Sequence, residues 1–189
     1  TILGVKATGS KIVGTYPLAQ DMPIPKASIN TTIDSWEQIA ESKSIHSGSL
    51  ISSGSGNKLG PIKIDGDWTI TNGAEVEVDG TIWVTGKITV SNNAKIFLNE
   101  NYSTNSGIII ADNKSDRTNS NKGTITISQG ATISGIDKDN PKTPSYIMMV
   151  STETPSNPLA WLEQYFVHAI TIEQGSIGGV FYAPFGSLH

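Results

Sequence analysis

Apolar residues recur through the middle of this chain as alternating pairs: Ile62 and Ile64, Trp68 and Ile70, Val76 and Val78, with Gly- or Asn-containing turns between them. Alternation with a period of two marks a strand with one buried face, and the close spacing of the turns makes each strand short. Residues 61–80, PIKIDGDWTITNGAEVEVDG, lie over residues 81–100, TIWVTGKITVSNNAKIFLNE, without a gap, which is a period of about 20 residues. Ile62 falls on Ile82, Gly66 on Gly86, Thr69 on Thr89, Asn72 on Asn92 and Ala74 on Ala94. The pairs Ile64/Val84, Trp68/Ile88, Ile70/Val90, Val76/Ile96 and Val78/Leu98 keep apolar character, while the polar positions vary.

Each unit therefore holds three short strands. Such strands cannot bury an inward face alone, but stacking like strands at about 4.8 Å fills a shared interior, as in a parallel β-helix. The heptapeptide at the centre of the unit occurs four times, beginning at Trp68, Ile88, Ile125 and Ile170. The spacing grows after the second copy because two loops interrupt the repeat, one at 112–122 and one at 151–168. Asn72, Asn92, Gln129 and Gln174 close the copies at positions where left-handed backbone is tolerated, and they are candidates for a side-chain amide ladder between coils.

The N-terminal part reads differently. Residues 1–28 are an extended segment, and Ile29, Ile33, Trp36 and Ala40 then recur at helical spacing. Thr31 or Thr32 can serve as N-cap, and Asp34 and Glu37 fall early in the helix. This predicts an amphipathic helix over 29–44, read as a cap that covers the open, strand-rich end of a solenoid spanning 45–189. Asn157-Pro158 followed by LAWLEQYF predicts a second short helix inside the later loop.

Composition narrows the functional classes. A net charge of −4 offers no broad attraction to a phosphate backbone or an anionic membrane, so a nucleic-acid partner is not expected. Arg117 is the single arginine, which leaves few planar forks for clamping carboxylates or phosphates. The absence of cysteine removes disulfides, thiolate catalysis and cysteine metal sites. No run of residues has the length and apolarity of a membrane span, and a start at Thr1 rather than Met suggests an excised or processed chain.

Parallel β-helices include polysaccharide lyases and glycosidases, so paired carboxylates carry weight in such a chain. Asp65, Asp67 and Asp79 form a candidate acidic cluster near one edge of adjacent coils, where a carboxylate pair could hydrolyse a glycosidic bond or oxygen ligands could take calcium. In the next unit the matching residues are Thr85, Lys87 and Asn99, so no acidic wall persists, and Asp as a turn residue accounts for all three. Arg117, Asp112 and Asp116 in one loop, with Asp137 and Asp139 in another, read as surface turns lacking the spacing of a dedicated calcium loop. His46, His168 and His189 are far apart in sequence and show no zinc spacing. Neither a metal site nor a cofactor is assigned, and no catalytic residue. Trp83 and Phe97 take outward positions between apolar neighbours, which makes them, with Trp161 and Tyr165 of the later loop, candidate contacts for a sugar or a protein partner. A loop folded back over the solenoid explains the two outward aromatics equally well.

The order MPIPKASI, a helix with Ser35-Trp36 and Ile39-Ala40, then LGPIKIDGDWTITNGAEVEVDGTIWVTGKITVSNNAKI, and finally GGVFYAPFGSLH resembles the β-solenoid domains of PilX-like, type IV pilus-associated bacterial surface proteins over most of residues 17–189. The resemblance implies a single-stranded right-handed parallel β-helix, all-β apart from its capping helix, on the cell surface or outside the cell. It also implies a structural or adhesive role with a surface glycan or another pilus protein as partner, carried by an N-terminal pilin-like helix that these residues do not contain. The family's pattern leads one to expect a further strand after His189, hence a truncated chain. A more distant resemblance is to bactofilin-like scaffolds, which polymerise end to end in the cytoplasm; the helix cap and long loops argue against open, matching ends.

Overall fold

The computed structural model of the chain describes residues 26–119, 121–137, 144–154, 168–173, 175–176 and 178–189, and the side chains from residue 30 onward. The described residues begin with helix α1 (Lys26–Glu41) and then wind through strands that recur in threes. The first triplet is β1 (Ile45–Ser47), β2 (Leu50–Ser52) and β3 (Asn57–Leu59), and the second is β4 (Ile62–Asp65), β5 (Trp68–Ile70) and β6 (Glu75–Val78). The third is β7 (Ile82–Val84), β8 (Ile88–Val90) and β9 (Lys95–Leu98), followed by a 3-10 turn at Glu100–Tyr102. Then come β10 (Gly107–Ala111), β11 (Ile125–Ile127) and β12 (Thr132–Ile133), and after them β13 (Ile147–Ser151), β14 (Ile170–Ile172) and β15 (Val180–Tyr182).

Like strands of successive triplets pair in parallel, which gives three all-parallel sheets: six strands in the order β1-β4-β7-β10-β13-β15, five in the order β14-β11-β8-β5-β2, and four in the order β12-β9-β6-β3. The repeat sets this register. Trp68 pairs with Ile88, Ile88 with Ile125 and Ile125 with Ile170, so the four heptapeptides stand directly over one another in the five-stranded sheet. Their inward residues join Ile64, Val76, Val78, Ile82, Val84, Ile96 and Leu98 in one buried core. Burial of each such side chain contributes about 1.5–3 kcal/mol, so the column as a whole holds the sheets together.

The turns follow from the same residues. Asn72-Gly73, Asn92-Asn93 and Gln129-Gly130 each place two consecutive residues at positive φ, between 52° and 75°. Asn and Gly tolerate this conformation best, which is why a residue pair of this kind closes each copy. The ladder expected there is realised differently: the Asn92 amide donates to Thr71 Oγ1 at 3.0 Å, and Ser91 Oγ donates to the same oxygen at 3.2 Å. Gln174 lies outside the described residues. At the opposite turn Gly86 packs on Gly66, where an added Cβ would sit 2.6 Å from the Gly66 carbonyl, and Gly123 N–H continues the column by donating to Gly86 O at 2.8 Å.

The first triplet lies within the expected solenoid and keeps Leu50 and Leu59 against the core, but polar residues take its other inward positions, so periodicity did not mark its separate strands. His46 faces the same way as Ile64, Ser52 as Ile70, and Asn57 as Val76. Ser52 Oγ accepts from the Trp68 indole N–H at 3.1 Å, and the Asn57 amide donates to the carbonyls of Ser53, Gly54 and Glu75. Ser52 and Asn57 are thus hydrogen-bonded where the apolar column gives way to polar side chains.

The helix corrects the expectation of an end cap. Ile33 and Ala40 are buried in a second apolar cluster with Trp83, Ile110 and Val150, and Trp36, Ile108, Met148 and Tyr182 pack against it. Trp83, Ile110, Val150 and Tyr182 are the outward residues of β7, β10, β13 and β15 and stand in register. The helix thus lies along the outer face of the six-stranded sheet. Its 16 residues span about 24 Å, the same as the width of six strands.

Candidate functional site

The outward row on the six-stranded sheet is the most elaborate side-chain assembly among the described residues. Trp83 was expected to be exposed; it is 5% accessible, because α1 covers it and the corner segment between β10 and β11 closes over its edge. Its indole N–H donates to the Asp112 carbonyl at 2.9 Å, and the Lys63 ammonium sits 4.1 Å above the ring. A cation at that distance is attracted to the ring face. Trp83 is therefore a seat for the helix and the corner rather than an open stacking platform.

Asp112 carries the corner. Its carboxylate is fully buried and accepts both prongs of the Arg117 guanidinium, from Nε at 2.9 Å and Nη2 at 2.7 Å, and the Thr152 hydroxyl at 2.5 Å. Burial alone would raise its pKa, but the Arg117 fork, a hydrogen bond with Glu37 and the Thr152 hydroxyl more than reverse this and hold it below the ordinary aspartate value. Arg117 in turn accepts the Thr154 N–H on its backbone carbonyl at 2.7 Å, so the corner loop is bound to the chain beyond β13. The reading of Asp112 and Arg117 as solvated loop residues is thereby corrected.

From the helix, Glu37 enters the same assembly with no exposed side-chain surface. Lys114 Nζ lies 2.5 Å from Glu37 Oε2 and 3.0 Å from Asp34 Oδ1, which ties helix to corner at two points. Burial, and then the neighbouring Asp112 carboxylate, push the Glu37 pKa up to about 8 despite Lys114. Lys63 and Glu41, 3.5 Å apart, make a third link at the end of the helix. Beside this assembly is a concavity of about 250 Å³ lined by Lys63, Trp83, Asn113, Lys114 and Lys122.

The remaining candidates fall elsewhere. Asp65 and Asp67 sit at the turn between β4 and β5, where Asp65 accepts from Thr85 Oγ1 at 3.1 Å and Asp67 from the Lys87 N–H at 3.0 Å. Both carboxylates thus bind the next triplet. Asp79 follows β6 at a different turn, 3.6 Å from Lys58 Nζ. Among the described residues no group of three or more His, Asp or Glu is placed to hold a metal ion. Phe97 is half-buried on the outer face of the four-stranded sheet, in a groove of about 620 Å³ lined also by Lys58, Glu77, Asn99, Glu100 and Ile136. There Glu77 accepts from the Asn99 amide and stands 3.2 Å from Lys58, two contacts that hold its pKa below the ordinary glutamate value. His168 and His189, distant in sequence, stack with ring centroids 4.3 Å apart because they lie one repeat from each other. Trp161, Tyr165, Asp139 and the predicted second helix lie outside the described residues, and no described helix is long and apolar enough to cross a membrane.

Compared with known proteins, the chain matches no family model, no curated protein and no solved structure.

Proposed function

We propose that the three sheets close into a single-stranded right-handed parallel β-helix that serves as a non-catalytic structural or adhesive module of a pilus-associated or cell-surface protein. The observation that carries this reading is the in-register apolar column running through the stacked triplets, with the side-chain hydrogen bonds of the corners spent on joining one triplet to the next. A chain built this way is a stiff rod, because bending it would break ladder hydrogen bonds and open the core at once. The resemblance to PilX-like surface proteins supplies the location, outside the cell, and the partner class, a surface glycan or another pilus protein. In this reading the groove around Phe97 and the corner loops are the contact surfaces.

Immunogold electron microscopy of intact native cells tests the location. Label on the cell surface or along pili is expected, and label that appears only after permeabilisation would discard the reading in favour of an intracellular scaffold. Incubation with acidic polysaccharides tests the role. Product release that is lost on Asp67→Ala would replace the structural module by a lyase or glycosidase.

A further inference from the structure

The clasp between α1 and the six-stranded sheet centres on one close pair. Glu37 has no exposed side-chain surface, neither of its carboxyl oxygens has a hydrogen-bond partner, and Lys114 Nζ stands 2.5 Å from Oε2. A charge-assisted hydrogen bond between such groups spans about 2.7–2.9 Å, so the amine lies against the carboxyl group without acting as an ordinary donor to it. Both sides of the pair are held in place. Ile33 and Ala40 seat the helix in the apolar cluster with Trp83, Ile110 and Val150, and the corner that carries Lys114 is fixed by Arg117 and Thr152, which both bind Asp112. Lys63 Nζ at 4.1 Å and Lys114 Nζ at 5.2 Å stand over the same Trp83 ring, and repulsion between two cations lowers the cost of taking a proton from one of them. Burial of Glu37 acts in the same direction by disfavouring its charged form. Asp34, 3.0 Å from Lys114 Nζ, opposes this by favouring the ammonium, but it is half-exposed and its pull is screened by water.

We propose that Glu37 and Lys114 condense to an intramolecular isopeptide bond, an amide staple between α1 and the corner that joins β10 to β11. Within the pair the ammonium first gives a proton to the carboxylate, leaving an amine and a carboxylic acid. The Nζ lone pair then attacks Cδ: the Nζ–Cδ bond forms, the Cδ–OH bond breaks, and the hydroxyl leaves with one amine proton as water. No oxidant, reductant or further reactant is consumed. Reacting groups held together in this way reach effective molarities of about 10⁵–10⁸ M, which offsets the tendency of water to hydrolyse an amide. The product also replaces a buried charged pair with a neutral group and so removes its desolvation cost. Water has a way out, because Lys114 is part-exposed and lines the concavity of about 250 Å³ beside Trp83. The ion pair and the titration of Glu37 belong to the unlinked chain, and the amide ends both. In a chain without cysteine, the staple closes the loop between residues 37 and 114 as a disulfide would, and it keeps the helix on the sheet when the chain is stretched.

Intact-mass spectrometry of the purified, folded protein, wild type and Lys114→Arg, tests this. The wild-type protein is expected to be lighter than its sequence by one water and the variant to have its full sequence mass. Protease digestion of the wild type should yield a branched peptide that joins the segment around Glu37 to the segment around Lys114. A folded wild-type protein at full sequence mass carries an ordinary ion pair and overturns the proposal, and so does an equal loss of water in the variant. A loss that fragmentation places at Asp65-Gly66 or Asp79-Gly80, where an aspartate can cyclise onto the next backbone nitrogen, overturns it as well. If Lys114→Arg does not fold, fragmentation of the wild-type peptides decides the matter alone, since separate linear peptides carrying Glu37 and Lys114 rule the staple out.

Discussion

The interior column and the helix clasp hold this molecule together by different means. Inside, each triplet repeats its neighbour, contacts are apolar, and position along the axis changes little. On the outer face of the six-stranded sheet nothing repeats: Lys63, Trp83, Ile110, Val150 and Tyr182 follow one another in a single row, and Ile33 and Ala40 of α1 join the apolar cluster formed there. The first region draws on area removed from water and is insensitive to pH. The second depends on buried and half-buried charged groups tied to one another by ion pairs. Repeated apolar packing and specific charge pairing are thus kept in separate layers of one small fold.

Four substitutions break or sharpen this contrast. The largest effect is expected for Ile88→Ala, at the centre of the five-stranded sheet with no exposed surface, at about 3–5 kcal/mol of global stability. Chemical denaturation at acid and neutral pH should give the same loss, since no titrating group is involved. Next comes Asp112→Ala, which leaves Arg117 and Thr152 without their acceptor and should cost about 3 kcal/mol. Its signature is regional, with helix amides losing protection well before those of β5 and β8. Gly86→Ala places a methyl group against the Gly66 carbonyl and the Asp67 carboxylate, and overpacking of this kind costs about 1–3 kcal/mol. A thermal melt should report it as a loss of the column without altered helix docking. The smallest effect belongs to Lys58→Ala, whose ammonium faces Glu77 and Asp79 on the surface, with a midpoint in the same melt indistinguishable from that of wild type.

Glu153 adds a second pH-dependent contribution near the clasp. It is buried beyond β13, and burial raises its pKa. Like Glu37 it stabilises the fold most below the ordinary glutamate pKa and loses that contribution as pH rises. The two acids therefore pull overall stability toward the acid side.

Legibility in the sequence divides along the same line as the energetics. The repeat at residues 61–100 disclosed the strands, their stacking and even the partners Trp68, Ile88, Ile125 and Ile170, because inward alternation is a local pattern that stacking merely copies. The first triplet fell inside the expected solenoid of 45–189, but its separate strands were not legible, since His46, Ser52 and Asn57 occupy positions where the pattern demands apolar side chains. The helix was visible from its own periodicity, but not its seat. Docking along the sheet requires Trp83, Ile110 and Val150 to fall in one outward row, and they come from three strands separated by unequal insertions. Asp112 looked like a loop residue for the same reason. Its burial is created by Thr152 and Glu37, both remote in sequence.

Two long insertions leave the repeat at one and the same corner, after Ala111 and after Ser151, where the six-stranded sheet hands over to the five-stranded one. Neighbouring strands end at Asp65 and Val84 on that corner and cross it by short Gly-containing turns. Extra length is accommodated there, as it is between β12 and β13, without shifting the pairing of the strands on either side. For protein engineering this makes the corner a docking port: foreign peptides spliced there would be displayed side by side at strand spacing, about 4.8 Å from one level to the next, on a backbone that need not adapt to them.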